Sequence, residues 1–334
     1  MRIAVIGAGN WGTGLAIVAA RAGHEVSVWS RNSAVVASIN DTHTNSAYLI
    51  GAAIPESVRA TGNTGEALQR AALIILAAPS HATREILEGM RALVPADSIV
   101  VSATKGIEID TGKRISQVVA DVMGENAAQR FVCLSGPSFA SEVVEHHPTA
   151  IVAASKDPAA ARVVQSELSF ENLRIYTNDD LVGTELGGSV KNVMAIAAGM
   201  VAGLGFGANS VAALITRGLA EMTRLALHEG AKLETMMGLA GLGDLVLTCT
   251  GGLSRNRFVG EELGKGRSLK EITADMTEVA EGINTTRAVK KLAGRLDVEM
   301  PITNEVQAVL YEGKPASEAA AELMRRPLRV EANW

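Results

Sequence analysis

A chain of 334 residues exceeds the roughly 250–300 at which one hydrophobic core stops growing, so two domains are expected. Apolar residues make up 47% and charged ones 20%, which is globular material. A formal net charge of −5 without a long basic run speaks against nucleic acid as a partner. A small anionic ligand stays compatible, because a pocket can be locally positive on an acidic protein.

The chain opens on a strand-like run at 2–6, followed at once by Gly7-Ala8-Gly9-Asn10-Trp11-Gly12. This GxGxxG pattern sits between a strand and a helix, and a second strand begins at Glu25, which is the context of a dinucleotide-binding turn. Gly7 is expected to make the tight turn, Gly9 to admit a pyrophosphate, and Gly12 to let helix and strand pack closely. The helix start supplies free N–H groups and a favourable dipole. At the end of the second strand stands Val28-Trp29-Ser30-Arg31-Asn32, with no acid to hold ribose hydroxyls. Arg31 can pair with a 2′-phosphate, so NADP(H) is somewhat favoured over NAD(H), and either is admissible.

Further strand candidates fall at 73–77, 99–102, 131–135 and 150–154, nearly continuous aliphatic runs of the kind buried on both faces. Helical patterns at 12–22, 81–93 and 112–123 lie between them. The alternation predicts a doubly wound parallel sheet. Three loops follow strand ends, where such sheets bind ligands. The first is Ala77-Ala78-Pro79-Ser80-His81, where Ser80 is read as a helix N-cap and His81 as a weak candidate base. The second is Ala103-Thr104-Lys105-Gly106, whose lysine can meet a phosphate or polarise a carbonyl. The third, 135–140, is small-residue backbone suited to close approach by a ligand. His146-His147 reads as a loop pair, and the six histidines form no metal pattern, so no metal is expected.

Near residues 177–180 the pattern changes. Asp179 and Asp180 mark a helix start, and beyond them long helical runs at 181–200, 211–229 and 283–296 replace strands. The expected division is 1–178 for a dinucleotide-binding domain and 179–334 for an all-helical one. Gly187-Gly188 inside a helix implies close approach of a neighbouring backbone or a ligand. Lys191 follows in an apolar context, where desolvation lowers its pKa and suits it to proton exchange, although a solvated helix lysine fits the spacing too. Asp244 can cap a helix, bind a hydroxyl or orient Lys191. Arg255 offers a fork for phosphate and Asn256 an amide beside it, while Ser254-Arg255-Asn256-Arg257 can equally be a surface turn.

Cys133 and Cys249 read as reduced, buried thiols. No run reaches about 18 uninterrupted apolar residues, so stable membrane insertion is not expected and a cytoplasmic location is. A frayed tail is expected after Arg325.

Together the motifs GAGNWGT (7–13), PSH (79–81), ATKGIE (103–108), SGPSFA (135–140), LGGSVKNV (186–193), GLAGLGDLVLTCT (238–250), SRNR (254–257) and VAEGINTT (279–286) resemble the bacterial-type NAD(P)-dependent glycerol-3-phosphate dehydrogenase family over nearly the whole chain. The resemblance implies a Rossmann-like domain followed by a helical domain of the 6-phosphogluconate dehydrogenase C-terminal type, and a homodimer. It implies reversible reduction of dihydroxyacetone phosphate to sn-glycerol 3-phosphate, supplying phospholipid synthesis. Lys191 would be the proton acceptor in alcohol oxidation, with Asp244 holding it or a hydroxyl. The substrate would touch Lys105, Gly136, Ser138, Asp244, Ser254, Arg255 and Asn256. The cofactor would touch Asn10, Trp11, Arg31, Lys105, Ala140, Arg255, Val279 and Glu281. Asn10 stands where Ser is common in the family, and Ile50 where Pro is. A 3-hydroxyacid or 6-phosphogluconate-type dehydrogenase, or a non-catalytic dinucleotide sensor, are the alternatives.

Overall fold

The computed structural model describes residues 1–276, 278, 280–328, 330 and 331, and the chain divides into two compact units. The first comprises Met1–Thr104 and Ile115–Leu181, the second Lys105–Arg114 and Val182–Trp334. Ten residues from the first half of the chain thus pack with the second.

The first unit is built on one eight-stranded sheet of β1 (Arg2–Ile6), β2 (Glu25–Trp29), β3 (Val58–Thr61), β4 (Leu73–Leu76), β5 (Ile99–Ser102), β6 (Val132–Ser135), β7 (Thr149–Ala154) and β8 (Leu173–Asn178). Their order, β3-β2-β1-β4-β5-β6-β7-β8, begins with the dinucleotide-binding arrangement, in which the strand order reverses beside β1. Val5 pairs with Val28 on one side and with Ile75 on the other. The sheet departs from the all-parallel expectation at its far end: β7 runs antiparallel to β6, and β8 runs parallel to β7. β3 and β8 carry no strand signal in the aliphatic pattern, because as edge strands they admit polar residues: β3 is only four residues long with exposed Arg59 inside it, and β8 is half exposed, with Arg174 and Asn178. The helix Asn10–Arg21 is buried from Gly12 to Ala20, and its apolar residues join Ile3, Val5, Val28 and Ile75 in one core. Each fully buried aliphatic side chain there contributes about 1.5–3 kcal/mol.

Ser80 does not cap a helix. A 3₁₀ turn, Ser80–Ala82, starts after Pro79, which has no side-chain donor or acceptor to offer, and the α-helix proper runs Thr83–Met90. The exposed His81 lies in that turn. Both cysteines are free and buried.

Apart from the isolated bridge Ile107↔Arg114, the second unit is helical among the described residues. Its axis is the helix Leu181–Gly203, which starts directly after Asp180 and is apolar on nearly all sides, as a helix surrounded by others must be. By length and composition alone it could cross a membrane, but 83% of its most apolar window is buried inside the protein. Glycines let its neighbours approach to backbone contact. A Cβ on Gly187 would lie 2.5 Å from the Ala240 oxygen. Gly199 and Gly203 face Gly260 and Gly264 of the helix Arg255–Gly264, where added Cβ atoms would stand 2.0, 2.1, 1.9 and 2.6 Å from backbone oxygens in turn. The Lys105–Arg114 segment is fastened to this unit by buried Ile107, by the Arg114–Glu185 ion pair (2.8 Å) and by Arg295, which donates to the Thr111 oxygen (3.1 Å). Glu221, on the helix Ala208–His228, accepts the N–H groups of Ile302 and Thr303 (both 2.8 Å) and so caps the helix Pro301–Tyr311. Burial raises its pKa, while those bonds pull the other way.

Candidate active site

The first unit presents its glycine turn at the carboxyl end of β1. Gly7 has φ +115°, and a Cβ there would stand 2.8 Å from the Ala77 oxygen; on Gly12 it would stand 2.0 Å from the Gly7 oxygen. Neighbouring backbone closes both positions to side chains. At Gly9 a Cβ would meet nothing within 4 Å, so that glycine borders open space. Gly9 is also the N-cap of the helix Asn10–Arg21 and supplies no side-chain bond. The first-turn N–H groups and the positive dipole end are therefore left for an anion, and a dinucleotide pyrophosphate fits this cradle.

Asn45, which sequence reasoning missed, braces the turn. Buried to 2% exposure, it donates to the Ala8 oxygen and to Thr13 Oγ1, both at 2.9 Å. Asn10 turns its side-chain oxygen to the Leu49 N–H, and half-buried Trp11 packs on the core. Arg31, exposed at the end of β2, borders a cavity with Ile6, Trp29, Thr64, Glu85 and Ile86. Gly136 has φ +131°, and a Cβ there would lie 3.0 Å from Ile151 Cα. Ser138 Oγ donates to the Gly136 oxygen (3.0 Å). Ala140 begins a short helix lying against Gly14.

The second unit gathers the ionisable candidates. Asp244 opens the helix Asp244–Thr250 directly after a π-helical turn, Leu239–Gly243, an irregularity frequent at functional sites. Its carboxylate, 1% exposed, bridges two ammonium groups: Oδ1 accepts from Lys191 Nζ at 2.6 Å and Oδ2 from Lys105 Nζ at 2.7 Å. Of the readings open for Asp244, the structure bears out the one in which it holds Lys191; the N-cap position of its helix is Gly243, and no side chain caps it. The solvated alternative for Lys191 is ruled out: it is 6% exposed, and Nζ also donates to Thr248 Oγ1 (2.7 Å). Burial lowers its pKa to about 8; Asp244 opposes that shift and the charge on Lys105 adds to it. Two cations on one carboxylate leave the cluster with net positive charge, ready for an anionic ligand.

Asn192, also missed, carries the network onward. Its amide donates to the Lys105 backbone oxygen (3.2 Å), and its oxygen accepts from Asn256 Nδ2 (3.0 Å). Asn256 Oδ1 in turn accepts the Gly282 N–H (2.8 Å), next to Glu281 at the start of the helix Glu281–Leu296. The run at 254–257 is thus a helix start, with Ser254 Oγ accepting the Arg257 N–H (3.2 Å). Arg255 is half exposed and pairs with Glu278 at 2.6 Å. Val279 lies outside the described residues. The signal for Thr248 was its place four residues after Asp244, on the same helix face. Cys249 is no nucleophile here, because burial pushes its thiol up to about 12. Among the described residues no three metal-binding side chains converge.

Two family models match in tandem. The one described as the NAD-dependent glycerol-3-phosphate dehydrogenase N-terminus covers residues 2–161, and the one described as its C-terminus covers 180–321. An NAD(P)+ glycerol-3-phosphate dehydrogenase of Koribacter versatilis is 53% identical over 99% of this chain and 98% of its own length. One from Listeria monocytogenes is 44% identical over 99% and 98%. The crystal structure of glycerol-3-phosphate dehydrogenase from Coxiella burnetii superposes with a TM-score of 0.93 at 40% identity, covering 97% of this chain and 99% of that one.

Proposed function

The chain belongs to the NAD-dependent glycerol-3-phosphate dehydrogenase family, and we propose that Lys191 moves the proton in the reaction this membership gives it, the NAD(P)-dependent interconversion of sn-glycerol 3-phosphate and dihydroxyacetone phosphate. The observation that carries the assignment is the buried Lys191–Asp244–Lys105 cluster.

The dinucleotide, when bound, supplies or accepts the hydride at C2. During reduction the C2 oxygen gains negative charge, and the Lys191 ammonium protonates it. During oxidation the neutral amine takes the hydroxyl proton. A pKa of about 8 lets one residue serve both directions near neutrality. Asp244 fixes the position of Lys191 and keeps its proton available. Lys105 adds positive charge for the developing alkoxide or a phosphate oxygen. Arg255 anchors the substrate phosphate through its guanidinium fork, with Ser254 and one amide hydrogen of Asn256 beside it, and so orients C2. Gly136 and Ser138 complete the proposed substrate contacts.

The cradle of Gly7, Gly9, Asn10, Trp11 and Gly12 would hold the pyrophosphate, and Arg31 a 2′-phosphate, so NADPH is accepted and favoured. Ala140, Glu281 and Val279, with Lys105 and Arg255, follow from family resemblance as further cofactor contacts. Division of labour would run 1–178 for the dinucleotide and 179–334 for the substrate, with Lys105 serving the latter. Exposed Phe206, Leu253 and Phe258 on the helical unit favour a homodimer, to be tested by sedimentation; a monomer at micromolar concentration would count against it. We place the enzyme in the cytoplasm, supplying glycerol phosphate for phospholipid synthesis.

The direct test is loss of NADPH absorbance on adding dihydroxyacetone phosphate, with NADH in parallel. Rapid oxidation is expected, faster with NADPH. No turnover with either by folded, NADPH-binding protein would refute the reaction, and equal or better use of NADH would refute the reading of Arg31.

A further inference from the structure

The mechanism leaves one contact of its phosphate anchor unused. Arg255 Nη1 lies 2.6 Å from Glu278 Oε2, and the Glu278 side chain is only 18% exposed against 48% for Arg255. Arg255 is also the first residue of the helix Arg255–Gly264. A guanidinium there opposes the helix dipole instead of complementing it. The corner therefore calls for an anion twice over, and the protein supplies one of its own.

We propose that Glu278 is a specificity-determining residue of the phosphate site: a tethered carboxylate that occupies Arg255 and yields it to a dianion more readily than to a monoanion. This rests on the assignment of Arg255 to the substrate phosphate. A tethered group competes at an effective concentration of order millimolar. A free carboxylate brings no more charge than Glu278 already provides, so it gains nothing from the exchange. A phosphate ester carries about −1.5 to −2 at neutral pH and offers three acceptor oxygens, so it draws the guanidinium away. After the exchange the displaced carboxylate stays nearby and repels any anion. Glu278 thus lowers affinity for all anionic ligands, and most for those of single charge.

The test measures kcat and KM for dihydroxyacetone phosphate and for neutral dihydroxyacetone, with D-glycerate as a monoanionic inhibitor, in wild type, Glu278→Gln, Arg255→Gln and the double variant. Glu278→Gln is expected to lower KM for dihydroxyacetone phosphate about threefold to tenfold, the scale of a partly exposed ion pair plus relief of repulsion. It should lower the glycerate inhibition constant by a larger factor and leave dihydroxyacetone where it was. In the Arg255→Gln background the gain should vanish. Glu278→Asp, which keeps the charge, should retain discrimination against glycerate. An unchanged or raised KM in Glu278→Gln overturns the proposal, as does an equal shift for dihydroxyacetone, which would mark a structural effect. If Arg255→Gln itself leaves KM for dihydroxyacetone phosphate at the wild-type value, the phosphate-anchor reading falls first. If it raises KM while Glu278→Gln does nothing, only the role of Glu278 fails.

Discussion

Replacing Asp244 by Asn should move the working pH of the enzyme rather than merely weaken it. The carboxylate accepts from Lys191 at 2.6 Å and from Lys105 at 2.7 Å while 1% exposed. Asn keeps the shape but removes the charge, and its NH2 sets a donor where one of the two ammonium groups had a carboxylate acceptor. At an effective dielectric constant of about 20, an opposite charge about 4 Å away is worth about 4 kcal/mol, or about three pH units. The Lys191 pKa, about 8 in the wild type, should then fall to around 5, because Lys105 remains to repel its proton. Wild-type Lys191 is about nine-tenths protonated at pH 7, and the variant about one-hundredth. The kcat for ketone reduction at pH 7 should therefore fall about a hundredfold and recover as the pH drops toward 5. The assay is kcat against pH at saturating dihydroxyacetone phosphate and NADPH, with retained NADPH binding as the control for folding. A variant whose reduction limb still breaks near pH 8 would refute the reasoning, since the proton on Lys191 would then not depend on Asp244.

In the wild type, reduction should decline and oxidation rise as pH passes about 8; limbs of the opposite sign would reverse the proposed protonation states. The same lowered pKa means that unfolded chains bind the extra proton between about 8 and the ordinary lysine value of 10.5, so the contribution of Lys191 to stability increases with pH through that window. Lys191→Met should lose about 10²–10⁴ in kcat while NADPH titration stays as in wild type; near-normal turnover would remove Lys191 from the reaction. Gly260→Ala sets a Cβ 1.9 Å from the Ile196 oxygen and should cost about 3 kcal/mol or more. Gly294→Ala, where a Cβ meets nothing within 4 Å, should be neutral or gain up to about 1 kcal/mol. Chemical denaturation of both would settle the contrast, and equal midpoints would contradict the packing argument.

What could be read from the sequence was what short stretches of chain decide. The roles of Gly7 and Gly12 follow from one strand–turn–helix, and the structure shows backbone where their side chains would go. Lys191 announced itself as a charge in an apolar run. What stayed hidden depends on contacts between distant segments. Nothing local reveals that Lys105 packs with the helical unit, or that Asn45 reaches back to Ala8, 37 residues away. Asn192 sat inside a quoted motif, but its role appears once Asn256, 64 residues on, donates to it. β3 and β8 lack the aliphatic run of a central strand: Arg59 interrupts the four residues of β3, and β8 exposes Arg174, Tyr176 and Thr177. Asp244 was seen as a candidate, yet its service to two lysines at once is a property of three separate elements.

The glycine contact between the helices Leu181–Gly203 and Arg255–Gly264 works as a ruler. One helix carries Lys191, the proposed proton carrier, and the other begins at Arg255, the proposed phosphate anchor, and at the glycines main chain rests directly on main chain between them. At those four positions repacking side chains has little purchase on the separation, because a Cβ there would already run into backbone. On the proposed roles of Arg255 and Lys191, the span from phosphate to reacting carbon would thus be set largely by backbone dimensions. On that proposal, a shift to a longer or shorter phosphorylated substrate would involve Gly199, Gly203, Gly260 or Gly264, none of which carries a side chain to reach the substrate.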